Sequence, residues 1–282
     1  MSKMVSRFKS VITYILILLF SGFFFMPLFW MIIISIKRSI DQFTLGFIPW
    51  IQFEPTLRNW ESELVGQASE NLRALMNSTI IGLGSAAIAT FLGTLAGYAL
   101  ARFEFKKIKN VDIISSFLSL RFLPPIALAI PYYVLMQSIG LLDTQLAVIL
   151  VHAAAFLPYS VLVMRDAFKS IPVAMEESAF IDGASVLRAL ANIVLPVVAP
   201  ALAAVFILTL TFSWNEFLFA FILTSKNAYT LPIRMAGSIT SIGVIFYTLS
   251  IRQLISVIPP AILGLLVQKY IVSGLTMGAV KA

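Results

Sequence analysis

The chain has 282 residues, of which 60% are hydrophobic and only 12% are charged. Soluble globular domains carry about 25% charged residues, so this composition indicates an integral membrane protein. The chain contains no cysteine and one histidine, His152, which excludes disulfides, cysteine nucleophiles and His-cluster metal sites. We interpret the net charge of +7 as Lys and Arg in cytoplasmic loops, and we expect no nucleic-acid partner.

Six apolar segments are long enough to cross a membrane, which takes roughly 20 residues of helix. The predicted spans are residues 11–36, 75–100, 111–139, 142–164, 197–223 and 249–272. The first is longer than the apolar core of a signal peptide, so we interpret it as a retained span. None of the runs alternates polar and apolar residues as barrel strands do. We therefore predict an all-α membrane protein with six transmembrane helices in a single domain over residues 1–282.

The distribution of Lys and Arg predicts that both termini are cytoplasmic. With the N-terminus inside, twelve of the twenty basic residues fall in inner segments, and four of them cluster between spans two and three: Arg102, Lys106, Lys107 and Lys109. The segment 165–196 then faces the cytosol, and residues 37–74 form the longest outer loop. That loop either contacts an extracytoplasmic partner or is a solvated cap over the helices.

The second predicted span is rich in small residues, among them Gly93 and Gly97, which form a GxxxG pattern. Small residues at this spacing let two helix backbones approach closely. We expect this face to pack against a neighbouring helix and to carry no chemistry.

The third predicted span contains Arg121, which is followed by Pro124, Pro125 and Pro131. An arginine inside a membrane is costly and suggests a function or a partner, and tandem prolines break a helix. Discontinuous helices often mark substrate paths. Either Arg121, Pro124 and Pro125 line a translocation pathway, or the arginine pairs with a neighbouring subunit and the prolines only kink the helix.

The fifth predicted span contains a polar cluster, Ser213-Trp214-Asn215-Glu216, inside an apolar run. Asn215 and Glu216 are candidate pathway residues. Glu216 either lines the pathway, acts as a gate, pairs with a cation such as Arg121, or has a structural role. For His152 we expect a satisfied interhelical hydrogen bond.

The cytoplasmic segment 165–196 begins with signals for a helix. Ser170 is expected to cap the helix, and Pro172 suits its first turn. Glu176 and Glu177 follow near the N-terminal end, where the helix dipole favours anions. This first helix is predicted to run to Asp182.

A second helix is predicted directly after a turn at Gly183, where glycine permits a sharp change of direction. This helix starts at Ser185 and runs to Ile193, and Pro196 is expected to end it. Two helices joined at a glycine form a compact elbow, which can lay one face into a groove on a partner. We refer to residues 170–196 as the elbow.

The elbow resembles the EAA motif of ABC-importer permeases, written E-A-A, three residues, G, nine residues, I-x-L-P. Here Glu177-Ser178-Ala179, Gly183 and Ile193-Val194-Leu195-Pro196 are in register with it. Ser178 replaces the usual alanine, and Leu190 stands where sugar permeases often have phenylalanine. The resemblance implies that the elbow couples to an ATPase through the following residues: Glu176, Glu177, Ser178, Ala179, Asp182, Gly183, Ala184, Ile193, Leu195 and Pro196.

The resemblance extends over nearly the whole chain and points to the carbohydrate branch of this family. It is carried by residues 97–103, 121–125, 213–217 and 274–281, and the chain is similar to the smaller six-span permease of maltose- and trehalose-type systems. The implied fold is that of a type I ABC-importer permease with a cytoplasmic coupling helix, in the plasma membrane of a prokaryote. The tail 273–282 is expected to reach between the ATPases, through Gly274, Leu275, Thr276, Met277 and Gly278.

The resemblance also implies the partners. They are a second, homologous permease in a heterodimer, two ATPase subunits, an extracytoplasmic sugar-binding protein and membrane lipid. The chain has no Gly-x-x-x-x-Gly-Lys-Ser/Thr phosphate loop, so it is not the ATPase, and ATP and Mg²⁺ belong to the partners.

The expected substrate is a disaccharide such as trehalose or maltose, and a polyol, a monosaccharide or glycerol phosphate stays open. In maltose-type systems the sugar site lies mainly in the larger permease, so few substrate contacts are expected in this chain. A secondary transporter would need coupling-ion sites and usually internal repeats, for which the sequence gives little support.

Overall fold

The computed structural model describes residues 2–241 and 243–276, and these residues are almost entirely helical. The α-helices, numbered in chain order, are α1 (Ser2–Ser35), α2 (Arg58–Glu61), α3 (Ala68–Arg102), α4 (Asn110–Leu120), α5 (Pro125–Ser138), α6 (Gln145–Lys169), α7 (Ala174–Ile181), α8 (Val186–Ala189), α9 (Leu195–Asn215), α10 (Leu218–Leu223), α11 (Leu231–Ala236) and α12 (Phe246–Thr276). Strands β1 (Ile239–Thr240) and β2 (Gly243–Val244) pair antiparallel. The prediction of an all-α membrane protein is confirmed.

Five of the described helices are long and apolar enough to cross a membrane, and they cover residues 11–35, 68–102, 145–169, 186–215 and 246–266. A sixth candidate is the pair α4 and α5, which bend by 95° at the break between them. The break contains Arg121 and Pro124, and Pro125 begins α5. Proline has no N–H for the helical ladder and clashes with the preceding turn, so the tandem prolines account for the bend.

The fifth predicted span, residues 197–223, is helical in two pieces rather than one. Helix α9 ends at Asn215, Glu216 is extended, and α10 begins at Leu218. The carboxylate of Glu216 accepts hydrogen bonds from the backbone N–H groups of Phe219 (2.9 and 3.1 Å) and Ala220 (3.1 Å). An acidic side chain that caps the first N–H groups of a helix explains why the chain breaks and restarts here.

The chain divides into two compact units, one of residues 1–71 and 234–257 and the other of residues 72–233 and 258–282. The first unit contains a buried ion pair between Glu63 and Arg252, with N–O distances of 2.9 and 3.1 Å. Asn71 donates to the same carboxylate at 3.0 Å. A two-pronged Arg–carboxylate contact with a further donor satisfies both buried charges and fixes the unit internally.

In the second unit, α3 packs closely on α6 through the two glycines of the GxxxG pattern. A Cβ on Gly93 would lie 2.4 Å from Cβ of Ser160, and one on Gly97 would lie 2.8 Å from the backbone nitrogen of Arg165. Neither position has room for a larger side chain, so the expected close approach of two backbones is present.

The two larger buried clusters of the second unit position the elbow and the helices around it. One joins α3, α5, α6 and α10 around Ile81, Met136, Val148 and Phe219. The other packs Tyr98 of α3 and Phe168 of α6 against the elbow residues Ile171, Leu190 and Val194. The second cluster anchors the elbow to the membrane helices beneath it.

Asp143 joins the α5–α6 turn to the segment after α10. Its carboxylate accepts hydrogen bonds from the backbone N–H groups of residues 225–228, at 2.9 to 3.2 Å, and from the amide of Asn227. Burial raises the pKa of Asp143, but the hydrogen bonds from these N–H groups lower the pKa by a larger amount. The pKa is therefore about 2, below the ordinary value of 3.8.

Candidate functional site

The first arm of the elbow is α7, which ends in a tight turn at Gly183. Gly183 has φ +82, and the N–H of Ala184 donates to the carbonyl of Ala179 at 2.9 Å, while the N–H of Gly183 donates to that of Phe180 at 3.0 Å. These two bonds form a Schellman C-cap, in which glycine takes the left-handed position at no steric cost. The predicted change of direction at Gly183 is therefore present.

The start of α7 differs from the prediction. Helix α6 continues to Lys169, and Ser170 follows it as its C-cap, with a hydroxyl that donates to the carbonyl of Ala167 at 2.7 Å. Helix α7 begins only at Ala174, after Val173. The expectation that Ser170 caps the first arm was wrong. The preceding membrane helix extends beyond its apolar run, and Ser170 is therefore the C-cap of α6.

The second arm begins as predicted but does not end at Pro196. The hydroxyl of Ser185 accepts from the N–H of Arg188 at 3.4 Å and caps α8. A π-helical turn, Leu190–Val194, then leads directly into α9, with Pro196 in its first turn. The N–H of Leu195 donates to the carbonyl of Leu190, one residue further back than in an α-helix. This widened turn admits the proline without a break, so the second arm is continuous with a membrane helix.

The two arms enclose a groove of about 330 Å³. It brings together five of the residues predicted to couple to an ATPase, and three further residues complete its walls. The predicted five are Ser178, Ala179, Asp182, Ala184 and Ile193, and the others are Met175, Arg188 and Asn192.

Other predicted coupling residues lie outside the groove. Glu177, Gly183 and Pro196 are exposed, whereas Leu195 packs against the buried cluster beneath the elbow. Two large apolar side chains of the elbow are also open to solvent, Ile181 (87% exposed) and Leu187 (72% exposed). Exposed apolar groups beside a groove of mixed lining are typical of a protein-binding surface.

Glu176 faces inward and holds the elbow to α3. It is only 2% exposed, and its carboxylate accepts from the hydroxyl of Tyr98 and from Nε of Arg102, both at 2.6 Å. Arg102 also donates to the carbonyl of Ile171 at 3.1 Å. We refer to Tyr98, Arg102 and Glu176 as the elbow anchor. A carboxylate this buried and this fully bonded is placed to position the elbow rather than to touch a partner.

A second polar site joins α6 to the break between α9 and α10. His152 is fully buried, with Nδ1 at 2.8 Å from the hydroxyl of Ser213 and Nε2 at 2.9 Å from the carboxylate of Glu216. The expected interhelical hydrogen bond of His152 is present. The partner of Glu216 is His152 and not Arg121.

A cavity of about 350 Å³ lies at the break between α4 and α5, which together form the third predicted span. Arg121, Pro125 and Glu216 line it, so three of the five predicted pathway residues meet there. The other two do not line it: Pro124 lies in the break, and the Asn215 amide donates to the carbonyl of Thr211 on its own helix at 2.8 Å. The remaining walls include the rings of Tyr132, Phe156, Tyr159, Phe212 and Phe219.

The predicted tail lies only partly within the described residues. Gly274, Leu275 and Thr276 fall in the last turn of α12, whereas Met277 and Gly278 lie outside the described residues. The role of the tail stays a prediction.

Sequence reasoning missed the elbow anchor and the aromatic walls. Tyr98 and Arg102 lie more than 70 positions before Glu176, and no local pattern links them. A weak signal existed, because both belong to the 97–103 stretch that resembles carbohydrate permeases.

Comparison with known proteins yields a family match and full-length relatives. A family model described as "Binding-protein-dependent transport system inner membrane component" matches residues 89–277. The trehalose/maltose transport system permease protein MalG of Thermococcus litoralis is 34% identical over 257 residues, which are 90% of this chain and 91% of that protein. The trehalose transport system permease protein SugB of Mycobacterium tuberculosis is 34% identical over 263 residues, 92% of this chain and 93% of the relative.

A solved structure shares the fold. It is the crystal structure of a bacterial ABC transporter involved in the import of the acidic polysaccharide alginate, and one of its chains matches with a TM-score of 0.73 at 20% identity. The match covers 94% of this chain and 97% of that one.

Proposed function

The chain belongs to the family of inner membrane components of binding-protein-dependent transport systems, and we propose that it forms half of a sugar pathway and couples to ATPase subunits through its elbow. It is a multi-pass permease subunit of a sugar ABC importer and is not itself an enzyme. The observation that carries the proposed coupling is the groove, where five residues that the EAA resemblance assigns to coupling meet beside exposed apolar side chains.

The elbow passes movement to the membrane helices by two routes. The second arm continues through the π turn into α9, so a displacement of α8 moves that helix. The first arm is tied to α3 by the buried contacts of Glu176. Closure of ATPase subunits around the elbow would therefore shift α3 and α9 together, as in a rigid-body switch between two states of a pathway.

The remaining subunits are proposed from membership of the family. We propose a second, homologous permease that completes the pathway as a heterodimer, two ATPase subunits that bind ATP and Mg²⁺, and an extracytoplasmic protein that delivers the sugar. Family membership removes a secondary transporter from consideration.

The proposed substrate is a disaccharide such as trehalose or maltose. The support is two relatives, the trehalose/maltose permease MalG and the trehalose permease SugB, each 34% identical over at least 90% of this chain. A polyol, a monosaccharide or glycerol phosphate is the alternative.

The test is a reconstitution in proteoliposomes. The chain is assembled there with the subunits that neighbouring genes encode. We expect ATP-dependent uptake of labelled trehalose or maltose that needs the binding protein. An importer that takes up glycerol phosphate but neither disaccharide contradicts the proposed substrate. Failure of the chain to co-purify with any ATPase contradicts the proposed coupling.

A further inference from the structure

The cavity at the break between α4 and α5 has the size of a small-ligand pocket. Its volume of about 350 Å³ lies in the range of about 300–1,000 Å³ that such pockets occupy. It exists because the tandem prolines turn α5 away from α4 by 95°, which leaves room between the break and the facing helices α6 and α9. Residues from both sides of the break line it, among them Arg121 and Pro125.

Aromatic side chains of α6 and α9 form one wall of this cavity. Phe156 and Phe212 stack, with ring centroids 5.7 Å apart and an angle of 29°, and Tyr159 meets Phe212 edge-on at 5.9 Å. Pyranose rings carry apolar C–H groups on their faces and hydroxyl groups on their edges. A wall of aromatic side chains therefore offers apolar surface to the flat side of a sugar.

Arg121 supplies the hydrogen-bonding counterpart. Its guanidinium carbon lies 5.6 Å from the centroid of Tyr159, and no ion pair within the described part of the chain includes it. The other charged group of the cavity, Glu216, is already engaged by His152 and two backbone N–H groups. Arg121 is thus the charged group in the cavity with donors to spare, and its planar fork matches two adjacent hydroxyl oxygens.

We propose that this cavity is a saccharide subsite within this subunit, in which Arg121 binds adjacent sugar hydroxyls and the rings of Phe156, Tyr159 and Phe212 pack on the sugar face. The inference rests on the proposed sugar pathway and departs from the expectation that the sugar is held mainly by the larger permease. It assigns this chain a share in choosing the substrate.

The absence of cysteine from the chain permits a direct test. Ala154→Cys places a single thiol in the cavity wall without removing a proposed sugar contact, and Phe221→Cys places one at an exposed position that does not line the cavity. Both variants are assembled with cysteine-free partner subunits in proteoliposomes, and thiol modification is timed with and without trehalose or maltose, whichever the wild type imports.

We expect the sugar to protect the thiol at position 154 and not the one at 221. At a sugar concentration of about ten times Kd, modification at 154 should slow about tenfold, because only the unoccupied fraction reacts. Adding Arg121→Gln should raise the sugar concentration needed for protection about tenfold or more, since hydrogen bonds to a charged group are lost.

The subsite is overturned if position 154 reacts equally with and without sugar in an importer that takes up that sugar normally. It is also overturned if the position never reacts in the assembled complex, because the cavity is then closed. Either result leaves the proposed function standing, since uptake is measured on the same vesicles.

Discussion

At the scale of single residues, Glu176 decides how firmly the elbow is held. Its carboxylate and the Arg102 guanidinium form an ion pair at 2.6 Å, with side chains only 2% and 7% exposed. Removal of one partner from a buried pair leaves the other charge uncompensated, which costs about 3–5 kcal/mol. The contact thus constrains the first arm of the elbow relative to α3.

We predict that Glu176→Gln lowers the thermal stability of the purified subunit complex and reduces sugar uptake per ATP hydrolysed, because Arg102 is left without its counter-charge. Glu177→Gln is the matched control, since that neighbour is exposed, and it should retain wild-type stability. The double variant Glu176→Gln, Arg102→Gln should recover part of the stability. Equal melting temperatures for wild type and Glu176→Gln would contradict the claim that the elbow anchor stabilises the complex.

Asp143 gives the structure a defined dependence on acid. Its folded-state pKa of about 2 lies below the ordinary value of 3.8, so its contribution is complete above the ordinary value and is lost as the pH falls towards 2. We predict that the melting temperature of the wild type falls more steeply between pH 4 and pH 2 than that of Asp143→Asn. Parallel melting curves over that pH range would show that the carboxylate does not carry this link.

The residue scale also separates what a sequence can reveal from what it cannot. Glu216 and His152 stand out locally, as polar side chains in apolar runs, but their pairing depends on how α6 meets α9. The expectation that Glu176 belongs to the partner surface followed from its place beside the motif. Its burial follows from Tyr98 and Arg102, which the fold brings from the end of α3.

At the scale of elements, the elbow depends on the left-handed turn at Gly183. No other atom lies within 4 Å of a Cβ built there, so a substitution meets only the backbone cost of its φ of +82 within this chain. That cost is about 1–2 kcal/mol for most residues and less for Asp and Asn. A side chain at this position instead projects from the surface that is proposed to meet the ATPase.

We predict that Gly183→Asp inserts normally but loses most ATP-driven uptake. Gly140→Asp is a close control, because Gly140 has φ +70 and an equally empty surrounding but lies in the α5–α6 turn. If the two variants transport equally well, the elbow surface is not the coupling surface. If both fail to accumulate in the membrane, the left-handed backbone rather than the partner contact explains the loss.

The elements also show where local signals succeed. Gly183 and Ser185 predicted a turn and a cap correctly, because both act on their own backbone within a few residues. The predictions from Ser170 and Pro196 were wrong: Ser170 does not begin the first arm, and Pro196 does not end the second. The end of α6 and the start of α9 are set by packing beneath the elbow. A π turn that carries a helix past a proline leaves no distinct sequence pattern.

At the scale of the whole molecule, hydropathy was sufficient to predict an all-α membrane protein, and tandem prolines predicted the broken third span. Hydropathy did not predict the break at Glu216, because the polar cluster 213–216 is short and the segments on both sides of the cluster are apolar. The cavity between the broken helices is lined by residues of α4, α5, α6, α9 and α10, so its aromatic walls could not be assembled from any one segment.

The central claim is that the elbow is the surface that receives the work of ATP hydrolysis. A single thiol at Ser178→Cys, in the groove, and one at Ser138→Cys, exposed at the end of α5, can each carry a photo-crosslinker in the assembled complex. We predict a crosslink to an ATPase subunit from position 178 that changes in yield when ATP is added, and none from position 138. Absence of any ATPase crosslink from position 178 in a complex that transports sugar would contradict the claim.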